Sequence, residues 1–152
     1  MSKSLPNILI AEDSPNDVEM VLAALEENNL ANDVIVVNDG EEALDYLYSR
    51  GKYAERPAGL PIVVLLDLKM PKVDGLEVLR ILKQDETLKM VPVVMLTSSK
   101  EEQDLVASYK LGVNAYVVKP VGFTQFVEAV KKLGVFWALH NEPPPGSMRR
   151  SL

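Results

Sequence analysis

Cysteine is missing from this 152-residue chain, and histidine occurs once. Without cysteine there is no disulfide framework, no thiolate nucleophile and no zinc–thiolate cluster. The lone histidine, His140, lies beyond the last core-like segment without ligand partners and reads as a solvated side chain. Basic charge is also short: 16 Lys and Arg against 22 Asp and Glu leave a net charge of −6, which disfavours nucleic acid or an anionic membrane as the main partner. No apolar run approaches the ~20 residues that a membrane span needs. The first such run, Ile8-Leu9-Ile10-Ala11, is too short for a secretory signal, and acids follow at once. These absences lead us to expect a soluble cytoplasmic protein, and the length fits one domain that buries roughly two thirds of its unfolded surface.

What is present is an alternation of short apolar runs and helical patterns. Strands are expected over Asn7–Ala11, Val34–Val37, Ile62–Leu66, Val93–Leu96 and Ala115–Val118. Helices are expected from Ser14-Pro15 to about Asn28, then over Gly40–Ser49, Gly75–Gln84, Lys100–Leu111 and Phe123–Leu139. Strands that are apolar almost throughout, each followed by a helix, imply a parallel sheet covered on both faces, an α/β fold. The stretch Arg50–Leu60 makes the second helix-to-strand connection longer than usual and reads as a surface insertion over residues 50–61. The domain is expected to span residues 1–140. Residues 141–152, with the run Pro143-Pro144-Pro145-Gly146, read as an extended or disordered tail.

Four of the five strands end in a residue with useful chemistry: Glu12-Asp13, Asp67, Thr97-Ser98 and Lys119-Pro120. Each has an ordinary explanation alone, as a helix-start acid, a turn, a cap or a solvated lysine. In open α/β sheets, however, ligands bind outside the carboxyl ends of the strands. If the strand order is 2-1-3-4-5, the four ends are neighbours and form one cleft. Two carboxylates ~5 Å apart repel by roughly 3 kcal/mol at an effective dielectric near 20, so such a cleft protonates or takes up a cation. Oxygen donors without His or Cys suit Mg²⁺ or Mn²⁺. Carboxylates, a divalent ion, a hydroxyl from Thr97 and the Lys119 ammonium around a nucleophilic Asp67 make a phosphoryl-transfer site.

These residues resemble the receiver domain of two-component response regulators, over roughly residues 7–138. The matching pieces are Glu12-Asp13, the run from Asp67 through Lys69, Pro71 and Asp74 to Gly75, Thr97, and Ala115-Tyr116-Val117-Val118-Lys119-Pro120. The resemblance implies a flavodoxin-like, doubly wound (βα)5 fold. It implies that Asp67 is the phosphoacceptor, and that Asp13, Asp67 and the Lys69 backbone carbonyl hold Mg²⁺ (or Mn²⁺) while Glu12 acts through a metal-bound water. Thr97 and Lys119 would contact the phosphoryl group, Tyr116 would be the aromatic switch, and Lys119-Pro120 would be cis. Lys69 and Ser99 occupy positions that vary in the family and influence phosphoryl lifetime. A receiver does not turn over a substrate. It catalyses its own phosphorylation and dephosphorylation, and its phosphoryl donor is the phosphohistidine of a sensor histidine kinase.

The segment Asp39–Leu47, the long connection and the proline-rich tail resemble the stand-alone receivers paired with bacterial phytochrome kinases. Phe123, Phe126, Val127, Val130, Leu133 and Trp137 share one face of the last helix and read as core, which leaves Val135, Phe136 and Leu139 about 120° away. That apolar cluster is expected to form a homodimer contact. Three rivals stand beside this reading. A haloacid-dehalogenase-type phosphohydrolase resembles it in the strand-end Asp, but Lys69 sits where that chemistry has a second Asp. A flavodoxin-like FMN carrier needs a phosphate loop where this chain has acids. A binding-only receiver sits poorly with intact Asp13, Asp67, Thr97 and Lys119.

Overall fold

The computed structural model describes residues 7–27, 33–57, 59–113 and 115–134. Five strands, β1 (Asn7–Ala11), β2 (Asp33–Val37), β3 (Val63–Asp67), β4 (Val93–Thr97) and β5 (Tyr116–Val118), form one parallel sheet in the order β2-β1-β3-β4-β5. Five α-helices alternate with them: α1 (Pro15–Glu27), α2 (Gly40–Leu47), α3 (Gly75–Gln84), α4 (Lys100–Ser108) and α5 (Phe123–Leu133). This is the flavodoxin-like arrangement expected from the sequence. No helix among the described residues is long and apolar enough to cross a membrane.

The continuous apolar character of the strands has a direct cause. Side chains alternate faces along a strand, so covering both faces requires both sets to be apolar. Leu9, Val64, Leu66, Val93 and Met95 pack with Leu44 and Leu47 of α2, Val78, Leu79 and Leu82 of α3, and Val106 of α4. Ile8, Ile10, Val63, Leu65, Val94 and Leu96 pack on the other side with Val21 and Leu25 of α1 and Phe126, Ala129 and Val130 of α5. By the same period of two, Asp67 follows Val63 and Leu65 toward the side of α1 and α5.

Element boundaries differ from expectation where backbone geometry overrides hydrophobic period. β3 runs from Val63 through Asp67 and β4 through Thr97, one residue beyond the apolar runs, so both residues end strands as expected. β5 begins at Tyr116 rather than Ala115. α2 stops at Leu47, with Ser49 left-handed (φ 54), and α4 stops at Ser108, with Lys110 (φ 54) and Gly112 (φ 83) left-handed. α5 is the largest departure. It ends at Leu133, where Gly134 takes the left-handed C-cap conformation (φ 75, ψ 16) and its N–H reaches the Lys131 carbonyl. The facing assigned to Trp137, Val135, Phe136 and Leu139 assumed an unbroken helix through that glycine. Those residues, His140 and the 141–152 tail lie outside the described residues.

The connection after α2 is pinned rather than loose. It contains a 3-10 turn over Gly51–Tyr53. The Tyr53 ring meets Tyr46 edge-on with centroids 5.1 Å apart, and its hydroxyl donates to Glu42. The Arg56 guanidinium lies 4.1 Å from the Tyr46 ring centroid and donates to the carbonyls of Tyr46, Pro57 and Gly59. Asn7, at the start of β1, donates to the Tyr46 hydroxyl.

Gly75 opens α3 directly beneath the end of β3. Its N–H donates to the Leu68 carbonyl at 2.8 Å, and a Cβ there would overlap the carbonyl of Asp67. Gly→Ala at a helix start ordinarily helps by up to about 1 kcal/mol. Here Gly75→Ala is expected to lower the urea-unfolding free energy by about 1–3 kcal/mol, because the neighbour it strikes is backbone. A stabilised variant would contradict the close approach.

Candidate functional site

The site assembles from residues that continue the sheet past its regular strands. The Glu12 N–H donates to the Val37 carbonyl at 3.0 Å, prolonging the β1–β2 ladder and drawing Glu12 fully inside. Asp13, one step further, is exposed. The Lys119 N–H donates to the Thr97 carbonyl at 2.7 Å, which extends the β4–β5 ladder and carries Lys119 to the same edge. The Lys119-Pro120 bond is cis, as expected. Asp67 is 3% exposed and Thr97 fully buried. The order β2-β1-β3-β4-β5 makes these ends adjacent.

One ammonium holds the acids together. Lys119 Nζ lies 3.0 Å from Asp17 Oδ2, 3.2 Å from Asp67 Oδ1 and 3.3 Å from Glu12 Oε1. Burial works against its charge, but the Asp17 hydrogen bond and the charges of Asp67 and Glu12 outweigh it and raise the Lys119 pKa. One cation does not neutralise the group. Burial pushes the Glu12 carboxyl up to about 7; the Ser14 backbone N–H opposes this and the nearby Asp67 charge adds to it. Burial also raises Asp67, against the lowering effect of Glu12, Lys119 and the Lys69 backbone N–H.

Glu12, Asp13 and Asp67 each offer a carboxylate oxygen, all within 4.8 Å of one another. The donor set is all oxygen, buried on one side and exposed at Asp13, and its excess negative charge is what a hard divalent ion neutralises. The residues therefore fit Mg²⁺ or Mn²⁺. Thr97 Oγ1 is buried without a hydrogen-bond partner, a costly state unless an acceptor arrives. It is a hydroxyl donor waiting beside the acid cluster.

The remaining expected residues sit nearby. The Lys69 side chain points outward and pairs with Glu102 at 3.0 Å, tying the β3–α3 loop to the first turn of α4. Ser99 caps α4, accepting from the Glu102 N–H at 3.2 Å. Tyr116 is half-buried, its hydroxyl donates to the Val113 carbonyl at 3.1 Å, and burial raises its pKa. Asp17 was missed by sequence reasoning. Its signal was present in Ser14-x-x-Asp17, which reads as a self-contained helix cap.

Residues 8–131 match the family described as response regulator receiver domain, and the chain belongs to that family. Response regulator Rcp1 of Synechocystis sp. is 39% identical over 130 residues, spanning 86% of this chain and 87% of that protein. The bacteriophytochrome response regulator AtBRR superposes with a TM-score of 0.87 at 63% identity, covering 92% of this chain and all of that one. The Mn²⁺-bound form of Rcp1 superposes with a TM-score of 0.72 at 38% identity, covering 93% of this chain and 99% of that one. Receivers are phosphoacceptors that work with sensor histidine kinases and bind Mg²⁺ or Mn²⁺ at the acidic pocket. The phosphohydrolase alternative is not favoured.

The Glu12 shift sets a pH dependence. Its folded pKa of about 7 lies above the ordinary 4.5, so the folded metal-free chain keeps a proton that the unfolded chain releases. Metal-free stability should therefore be highest below pH ~4.5 as far as this group goes, and fall by on the order of 1–3 kcal/mol as pH rises through 7. Mg²⁺ affinity should change in the opposite sense, rising with pH over the same interval. Urea titrations and Mg²⁺ titrations at pH 5.5, 7 and 8.5 test this, and Glu12→Gln should flatten both profiles.

Proposed function

We propose that this chain receives a phosphoryl group on Asp67 from the phosphohistidine of a sensor histidine kinase and signals through the resulting change in its surface. The P–N bond to the histidine breaks as a P–O bond to the Asp67 carboxylate forms. The observation that carries the reading is the buried Asp67 carboxylate with the Lys119 ammonium 3.2 Å from it, at a strand end whose neighbour, β4, ends in the unpartnered buried hydroxyl of Thr97. Lys119 balances charge on one side of the transferred group, and Thr97 donates to a phosphoryl oxygen. Asp13, Asp67 and the Lys69 backbone carbonyl would hold Mg²⁺ or Mn²⁺, with Glu12 reaching it through water. The ion supplies charge neutralisation for the phosphoryl oxygens. These groups belong to the acceptor itself, which supports self-catalysed phosphorylation and dephosphorylation.

Thr97 moving to the phosphoryl group leaves space toward which Tyr116 turns, at the cost of its hydrogen bond to Val113. The outcome is a population shift, no larger than the difference in contacts between the two packings. A kinase of the phytochrome class is the partner, a reading supported by the likeness to AtBRR, a bacteriophytochrome response regulator. The receiver takes up residues 1–140, with 141–152 as a tail, and the protein works in the cytoplasm without contacting nucleic acid or membrane.

Incubation with a small phosphodonor and Mg²⁺ followed by intact-mass measurement tests the central claim. One base-labile phosphoryl group is expected, absent in Asp67→Asn and in EDTA. An unmodified wild-type protein that also fails to bind beryllofluoride would overturn the reading.

Self-association is part of the same proposal, through Val135, Phe136 and Leu139 with β5 alongside. It draws support from Val118, which leaves an apolar side chain 38% exposed on that strand. Sedimentation at micromolar concentration should report a dimer, and a monomer with and without beryllofluoride would remove it.

A further inference from the structure

The first turn of α1 departs from those of α2 and α4. In α2 and α4 the acid at the third helical position turns back on its own helix start. Glu42 accepts from the Asn38 N–H at 2.9 Å, and Glu102 from the Ser98 N–H at 2.7 Å. Asp17 holds the same position in α1, and its N–H likewise donates to the cap residue, Ser14 Oγ, at 3.3 Å. The carboxylate of Asp17 instead crosses to Lys119 at 3.0 Å, the shortest of the three carboxylate contacts of that ammonium, while the Ser14 N–H donates to Glu12 Oε2 at 3.1 Å.

The three partners of Lys119 are not equivalent. Glu12 and Asp67 belong to the carboxylate group able to hold a metal, and Asp17 does not. A divalent ion therefore weakens the hold of Glu12 and Asp67 on the ammonium while leaving that of Asp17 intact. The side chains of both members of the Asp17–Lys119 pair are largely shielded, 27% and 15% exposed, so the contact is not an ordinary surface ion pair. An ammonium has three donors. A phosphoryl group arriving on Asp67 must share them with a carboxylate that no metal neutralises.

We infer that Asp17 is a positioning residue that competes with the phosphoryl group for Lys119 and so limits how tightly the phosphorylated state is held. This rests on Asp67 being the phosphoacceptor. Replacing Asp17 by an isosteric neutral group removes the rival charge and frees Lys119 for the phosphoryl oxygens. Replacing it by Glu keeps the charge and should keep the restraint.

The test is a double-mutant cycle read by beryllofluoride binding at saturating Mg²⁺. Asp17→Asn should bind about three- to tenfold more tightly than wild type, and Asp17→Glu should stay close to wild type. In a Lys119→Met background, which itself binds more weakly, Asp17→Asn should bring no further gain. Asp17→Ser, run through the same cycle, guards against a fold defect in the first variant, with urea midpoints as the control. Unchanged affinity in folded Asp17→Asn and Asp17→Ser overturns the inference alone. An equal gain with and without Lys119 also overturns it, since the effect is then a general loss of negative charge. A wild-type protein that binds no beryllofluoride overturns the phosphoacceptor reading, and this inference with it.

Discussion

The pocket depends on the lateral order of the strands. With β1, β3, β4 and β5 side by side and parallel, their carboxyl ends converge on one edge, and the ladder runs one residue past β1 and past β5 to deliver Glu12 and Lys119. A parallel sheet delivers all strand ends in the same direction, and its covering helices keep that edge open between their first turns. The acids, the ammonium and the hydroxyl thus arrive on rigid backbone. Gly75 shows how tight the support is, since α3 begins against the carbonyl of Asp67 without room for a methyl group.

Electrostatics then decides what the pocket is for. Glu12 and Asp67, clustered with Asp13, share the Lys119 ammonium, with Asp17 pulling on that ammonium from α1. Such a group is costly when dry and empty, which is visible in the upward displacement of Glu12 and Asp67. A divalent ion and a phosphoryl group resolve the imbalance together. On the proposed reading the first would meet the carboxylates and the second would offer acceptors to Thr97 and Lys119, so that binding of each would favour the other.

Much of this was legible because the informative residues fall at places where two rules agree. Asp67 ends a five-residue buried run, and β3 proves buried throughout, so hydrophobic pattern and chemistry pointed to the same residue. Asp74 and Ser99 stand just before the expected starts of α3 and α4, and each accepts the backbone bond expected of a cap. The end of α5 was not legible from periodicity, since the apolar pattern runs on through Gly134 while the backbone there turns left-handed. Asp17 escaped for a related reason. A serine three residues before an acid satisfies a local rule so well that nothing in sequence order hints at a partner in another element, 102 positions away.

The segment between α2 and β3 had the look of spare length. Arg56 makes it otherwise: one guanidinium gathers three carbonyls and sits over the ring of Tyr46, whose hydroxyl is already engaged by Asn7 of β1. Trimming this stretch would strip the cover from an aromatic ring and take one of two donors from the Tyr46 carbonyl, which the Ser49 N–H also serves. Its length is therefore something the chain cannot shed piecemeal.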